Sequence, residues 1–159
     1  MENKDKKCHV IMVSRFFPAT HPRKGEKTNF MNSIFMGTKV HTIRGNCDPE
    51  KDSYELWRKR IAEVNEGKAY LSLRYWAGKP YNSKQVEFKQ IHKAAVSHFK
   101  MVDTGVFIDW QIDCDKPMHT MEELAANDGL SKEDFLNWFF PQNQKVVRTF
   151  EGAIIWLNK

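Results

Sequence analysis

The sequence predicts an α+β domain built around a small, strongly bent sheet or barrel. Apolar, β-branched runs outnumber helical patterns along the chain. The helical patterns are short and irregularly placed, so strands and helices do not alternate as a doubly wound sheet requires. With 159 residues, 41% of them hydrophobic and 13% aromatic, the chain can fill one core and has little room for a second. A single domain over residues 8–159 is expected, preceded by a charged, flexible N-terminus, residues 1–7.

Taken in order, His9 to Ser14 (HVIMVS) reads as a mostly buried strand. RFFPATHPRKGEKT follows, with two prolines and a glycine, and reads as a loop long enough to suggest function. Thr28 or Asn29 can cap a helix whose stripe is Phe30, Met31, Ile34 and Phe35, with Gly37 suited to a left-handed end. Val40 to Arg44 is a strand and Asn46 to Lys51 a polar loop. Ser53 to Val64 carries Leu56, Trp57, Ile61 and Val64 at helical spacing, and Gly67 stops it.

Ala69 to Trp76 is a strand and GKPYNS a turn. Gln85 to Ile91 reads as a strand with Val86, Phe88 and Gln90 on one side and Glu87, Lys89 and Ile91 on the other; a helix there stays open, because HKAAVSHF does not decide it. Gly105 to Cys114 is the clearest strand, with Val106, Ile108, Trp110 and Ile112 on one face. Met121 to Ala126 is a short helix broken by Asp128-Gly129. Ser131 caps another, with Asp134 in the capping-box position and Pro141 at its end. AIIWL closes the chain as a buried strand.

Composition narrows the function classes. The net charge of +5 favours polyanionic partners, nucleic acid above all. Cys8, Cys47 and Cys114 are few, odd in number and far apart, which suits reduced thiols rather than a disulfide framework. No CxxC pair or metal-ligand spacing occurs, so neither a metal nor a cofactor is expected. No apolar run is long enough for a membrane span, and MENKDKK has no apolar stretch behind it to make a secretory signal. A cytoplasmic location is expected.

One segment carries a resemblance. In SIFMGTKVHTIRGN, Ser33 to Asn46, an apolar helix runs into Gly37, then Lys39, Thr42 and Arg44 in a GxKxxTxR-like run. ELAANDGLSKEDFLNWF, Glu123 to Phe139, adds an acid-Gly turn before a Ser-capped helix, and AIIWL adds the closing strand. Together these parts resemble the ASCH domains of the PUA-like superfamily over most of Cys8 to Lys159. The resemblance implies a PUA-like bent β-barrel with a few peripheral short helices, and a cleft that takes RNA or a nucleoside. Some small members are amidohydrolases that deacetylate N4-acetylcytidine with a lysine, a threonine and a distant glutamate. Lys39 and Thr42 match the first two. Asp128 is the better match for the acid, one methylene shorter, and Glu123 is the alternative. This chain also inserts the Ser53 helix and the region before Thr104.

The resemblance thus marks Lys39, Thr42 and Asp128 as catalytic candidates and Arg44 as a ligand contact. His41, inside the motif, either touches a ligand or packs neutrally. Arg74, Tyr75 and Trp76 either form a stacking platform for an unpaired base or, for Trp76, part of the core. Arg23 and Lys24 in HPRKGEK make a basic rim that can meet phosphate, without Walker spacing. On a regular strand Lys39 and Thr42 face opposite ways, so their cooperation requires Lys39 to precede the strand in a turn. The leading expectation is an RNA- or nucleobase-binding module. The alternative is an amidohydrolase acting on an N4-acylated cytosine nucleoside.

Overall fold

The structure is a computed structural model that describes residues 5–45, 52–104, 107–113, 120–140 and 148–157. The expected Asn46–Lys51 loop, Cys47, Cys114, the ends of the Gly105–Cys114 strand and the Pro141 stop lie outside the described residues.

The fold is α+β. Its elements run β1 (Lys7–Met12), α1 (Phe30–Met36), β2 (His41–Gly45), α2 (Ser53–Asn65), β3 (Ala69–Trp76), β4 (Gln85–Ile91), β5 (Ala95–Asp103), β6 (Ile108–Ile112), α3 (Met121–Asn127), α4 (Lys132–Phe139) and β7 (Arg148–Trp156). They form two sheets. One has the order β1-β3-β4, with β1 and β3 parallel; the other is antiparallel, in the order β2-β7-β5-β6. Backbone pairing does not close them into one barrel among the described residues. A side chain spans the gap instead: Arg44 Nη2, from β2, donates to the Met12 carbonyl of β1 at 2.8 Å.

The core lies between the sheets and the helices. Trp57, Ile61 and Val64 of α2 are buried, and the helix touches β3 of one sheet and β2, β5 and β7 of the other. Ala153, Ile154 and Ile155 of β7 are fully buried, as suits a strand paired on both sides. Phe135 and Phe139 of α4 pack at a tilt with ring centres 4.9 Å apart, and Phe139 reaches Phe150 of β7 at 4.7 Å between ring centres.

Several expected details differ. Leu56 is exposed rather than part of the α2 stripe, and on α1 only Phe30 and Ile34 are buried while Phe35 is exposed. Both helices present a narrower apolar face than their composition implies. β5, which the sequence left undecided, is a nine-residue strand between β6 and β7. In β4 the expected alternation fails at a bulge: Lys89 opposes Leu73 and Glu87 opposes Arg74, so Phe88 has no partner. Phe88 and Lys89 consequently both reach Phe35 on α1.

The β2–β7 pairing tolerates no side chain at one point. A Cβ on Gly152 would lie 2.1 Å from the Arg44 carbonyl oxygen, and only movement of β2 can relieve that. Gly152→Ala should therefore destabilise the protein by about 1–3 kcal/mol, read as a lower urea midpoint. An unchanged midpoint would mean that β2 and β7 do not pair in this register.

Candidate functional site

The site forms where the start of β2 meets the α3–α4 turn. After α1, the amides of Thr38 and Lys39 both donate to the Ser33 carbonyl, which turns the chain sharply. Lys39 therefore precedes β2 in a turn, as cooperation with Thr42 demands. Val40 N–H then donates to the Asn127 carbonyl at 2.8 Å, tying β2 to the end of α3. Gly129 completes the junction: its φ is +84°, and its Cα faces the Lys39 side chain so closely that a Cβ would sit 3.3 Å from Lys39 Cδ.

Lys39 is 3% exposed and Asp128 5% exposed. Lys39 Nζ donates to Asp128 Oδ1 at 3.0 Å and to the Asp128 carbonyl at 2.7 Å. It also lies 4.5 Å from the centre of the Phe30 ring, a cation–π contact. His41 is fully buried with Nδ1 3.2 Å from the same carboxylate oxygen, while its Nε2 has no hydrogen-bond partner among the described residues. Thr42 and Arg44 share the other face of β2, where Arg44 Nη2 donates to Thr42 Oγ1 at 3.1 Å. Arg44 Nε is buried with no partner among the described residues.

Burial pushes the Lys39 ammonium below the ordinary lysine range, against the pull of Asp128 and with a small push from Arg44. Burial would raise the Asp128 carboxyl, but Lys39 and the hydrogen bond from His41 together hold it below the ordinary aspartate value.

Lys39, Thr42, Arg44 and Asp128 line one cleft of about 60 Å³, walled by Phe30, Trp138 and Phe139. The aromatic walls carry no motif, so sequence reasoning did not assign them to the site; the apolar faces of α1 and α4 were their only signal. His41 supports Asp128 from behind the cleft. The other candidates lie elsewhere. Arg23 is bound to Asp134 at 2.5 Å and Glu26 at 3.3 Å, and Lys24 is exposed beside it. Both are outside the cleft lining, because buried His21 pins their loop to α4: Nδ1 accepts from Arg23 N–H, so Nε2–H donates to the Asp134 carbonyl at 3.0 Å. Arg74 bonds Ser72 on β3 and Gln85 on β4, and Trp76 packs on Tyr81, also away from the cleft. Glu123, the alternative acid, lies exposed in the first turn of α3.

No family model, curated protein or solved structure matches this chain. The site must be argued from its own chemistry. No group of three or more metal-ligating side chains, and no helix long and apolar enough to cross a membrane, occurs among the described residues.

The buried pair has a definite pH signature. Because the folded-state pKa of Asp128 is depressed, its stabilisation is full above the unfolded value, about pH 4, and is lost as pH falls through the folded value. Lys39 acts oppositely: stability rises with pH between its lowered folded pKa and the ordinary lysine value, about 10.4. Asp128→Asn strands the ammonium and should cost about 3–5 kcal/mol at neutral pH, with Lys39→Met in that background restoring a large part. Urea unfolding of the three proteins checks this; a single variant as stable as the parent would show that the pair is not buried as described.

Proposed function

We propose that this chain is an ASCH-like module, PUA-like in build, whose cleft binds a nucleobase, free or carried by RNA. The observation that carries the reading is the unpartnered Arg44 Nε–H. A buried donor without a partner costs about 1–3 kcal/mol, and a ligand acceptor would recover that. Beside it stand the Thr42 hydroxyl and the walls Phe30, Trp138 and Phe139. Flat apolar walls with a few convergent donors suit a planar heterocycle carrying ring carbonyls. Two sheets bridged by Arg44, with α2 packed against both, support the bent-barrel part of this reading.

A second reading, an amidohydrolase acting on an N4-acylated cytosine nucleoside, is favoured by one observation: the depressed pKa of Lys39 in a cleft that also holds Thr42. In the resting geometry that lysine is a poor base. Its ammonium is held by the Asp128 carboxylate and carbonyl together, and Thr42 Oγ1 accepts from Arg44. Binding therefore ranks ahead of turnover.

Calorimetric titration with cytidine, uridine and N4-acetylcytidine tests both readings. Arg44→Lys, which removes the Nε donor and the bridge to Met12, should weaken binding about tenfold or more. Thr42→Val should cost only about 1 kcal/mol. Acetate released from N4-acetylcytidine by the parent, and abolished in Thr42→Val, would overturn this order and establish the hydrolase. No binding of any of the three would reject the nucleobase reading.

A further inference from the structure

We infer that the face beside α1 is a track for a single-stranded polynucleotide, leading to the cleft. Five side-chain contacts connect six residues in a row. Lys89 Nζ lies 5.7 Å from the Phe35 ring centre, and Phe35 is 5.8 Å from Phe88. Phe88 is 6.1 Å from Tyr75, whose ring lies 4.8 Å from the Arg15 guanidinium. That guanidinium also covers Phe16 at 5.4 Å. The bulge in β4 makes this row, because it brings Phe88 and Lys89 to the same neighbour. Phe35 is 56% and Phe16 45% exposed.

At the Arg15 end the row opens into a hollow of about 230 Å³, also lined by Lys27 and Phe30. Phe30 also lines the inner cleft, so hollow and cleft share one residue. Arg15 donates to the Ala77 carbonyl, and no carboxylate pairs with Arg15, Lys27 or Lys89 among the described residues.

Charge decides the occupant. A protein partner favours an apolar patch depleted of charge at its centre. Here exposed aromatic faces are flanked by cations left without acids. Stacking faces interleaved with unpaired cations suit a chain of flat rings joined by phosphates. The inference borrows from the nucleobase reading the direction in which the strand runs.

Anisotropy titrations of a labelled RNA of about eight nucleotides, a matched DNA, their duplex and an acidic peptide test the track, with cytidine monophosphate as the single-nucleotide reference. A single strand should bind at least about tenfold more tightly than the mononucleotide, and the tighter of RNA and DNA identifies the sugar. Phe35→Ala, at an exposed position, should weaken strand binding roughly five- to hundredfold. Lys89→Glu should flatten the salt dependence by about one counterion. Equal binding of duplex or acidic peptide, no gain with length, or no effect of either variant would overturn the track. Failure of the cleft reading looks different: strand binding would then persist and respond to Phe35→Ala, while free cytidine fails to bind and Arg44→Lys changes nothing.

Discussion

The contact between Lys39 and Asp128 joins residues 89 apart in sequence, and the geometry of the cleft depends on it. Removing an ammonium and a carboxylate from water is expensive, and a pair so buried holds only when its remaining groups are satisfied. Here the Asp128 carbonyl, the His41 ring and the Phe30 face supply that satisfaction. The turn between α3 and α4 must therefore stand against the start of β2. With β2 fixed there, Thr42 and Arg44 face the cleft and His41 faces inward.

Arg44 extends the same constraint to the second sheet. Its Nη2 serves both Thr42 and the Met12 carbonyl, so the side chain that lines the cleft also joins β2 to β1. A ligand acceptor at Nε would thus act on a group already held in place at its far end. Little side-chain entropy is then left to lose on binding, which is the sense in which the site is preorganised.

Local signals in the sequence anticipated much of this and missed the parts that tertiary contacts decide. The α+β class, the helix ending at Gly37, the strand ending at Trp76 and the Ser131 cap all follow from residues adjacent in the chain. The proximity of Asp128 to Lys39 came from paired motifs and not from any local rule. β5 was obscure because its inward face is Ser97, Phe99, Met101 and Asp103, two of them polar. Asp103 is tolerated there by a hydrogen bond from Arg148 at 2.8 Å, which no pattern within the strand reveals. The β4 bulge was invisible for a related reason: an extra residue is defined only against the partner strand. HPRKGEK looked like a free basic rim because, besides Glu26 within it, Arg23 engages Asp134, 111 residues away.

The size of the cleft constrains how it can work. At about 60 Å³ it has room for water-sized groups, far below the several hundred Å³ of ordinary ligand pockets. A planar base can enter only where a wall gives way, and the walls are unequal. Trp138 packs against both Phe17 and Phe30, and Phe139 is locked between Phe135 and Phe150. Phe30 is buried and packs on Trp138, but it is also the residue shared with the hollow of about 230 Å³. Moving that ring would uncover Lys39, whose ammonium rests on its face. On the nucleobase reading, an incoming base offers a π face of its own at that place, so one ring replaces another over the same cation. On that same reading, displacing Phe30 would join cleft and hollow at the cost of its packing on Trp138.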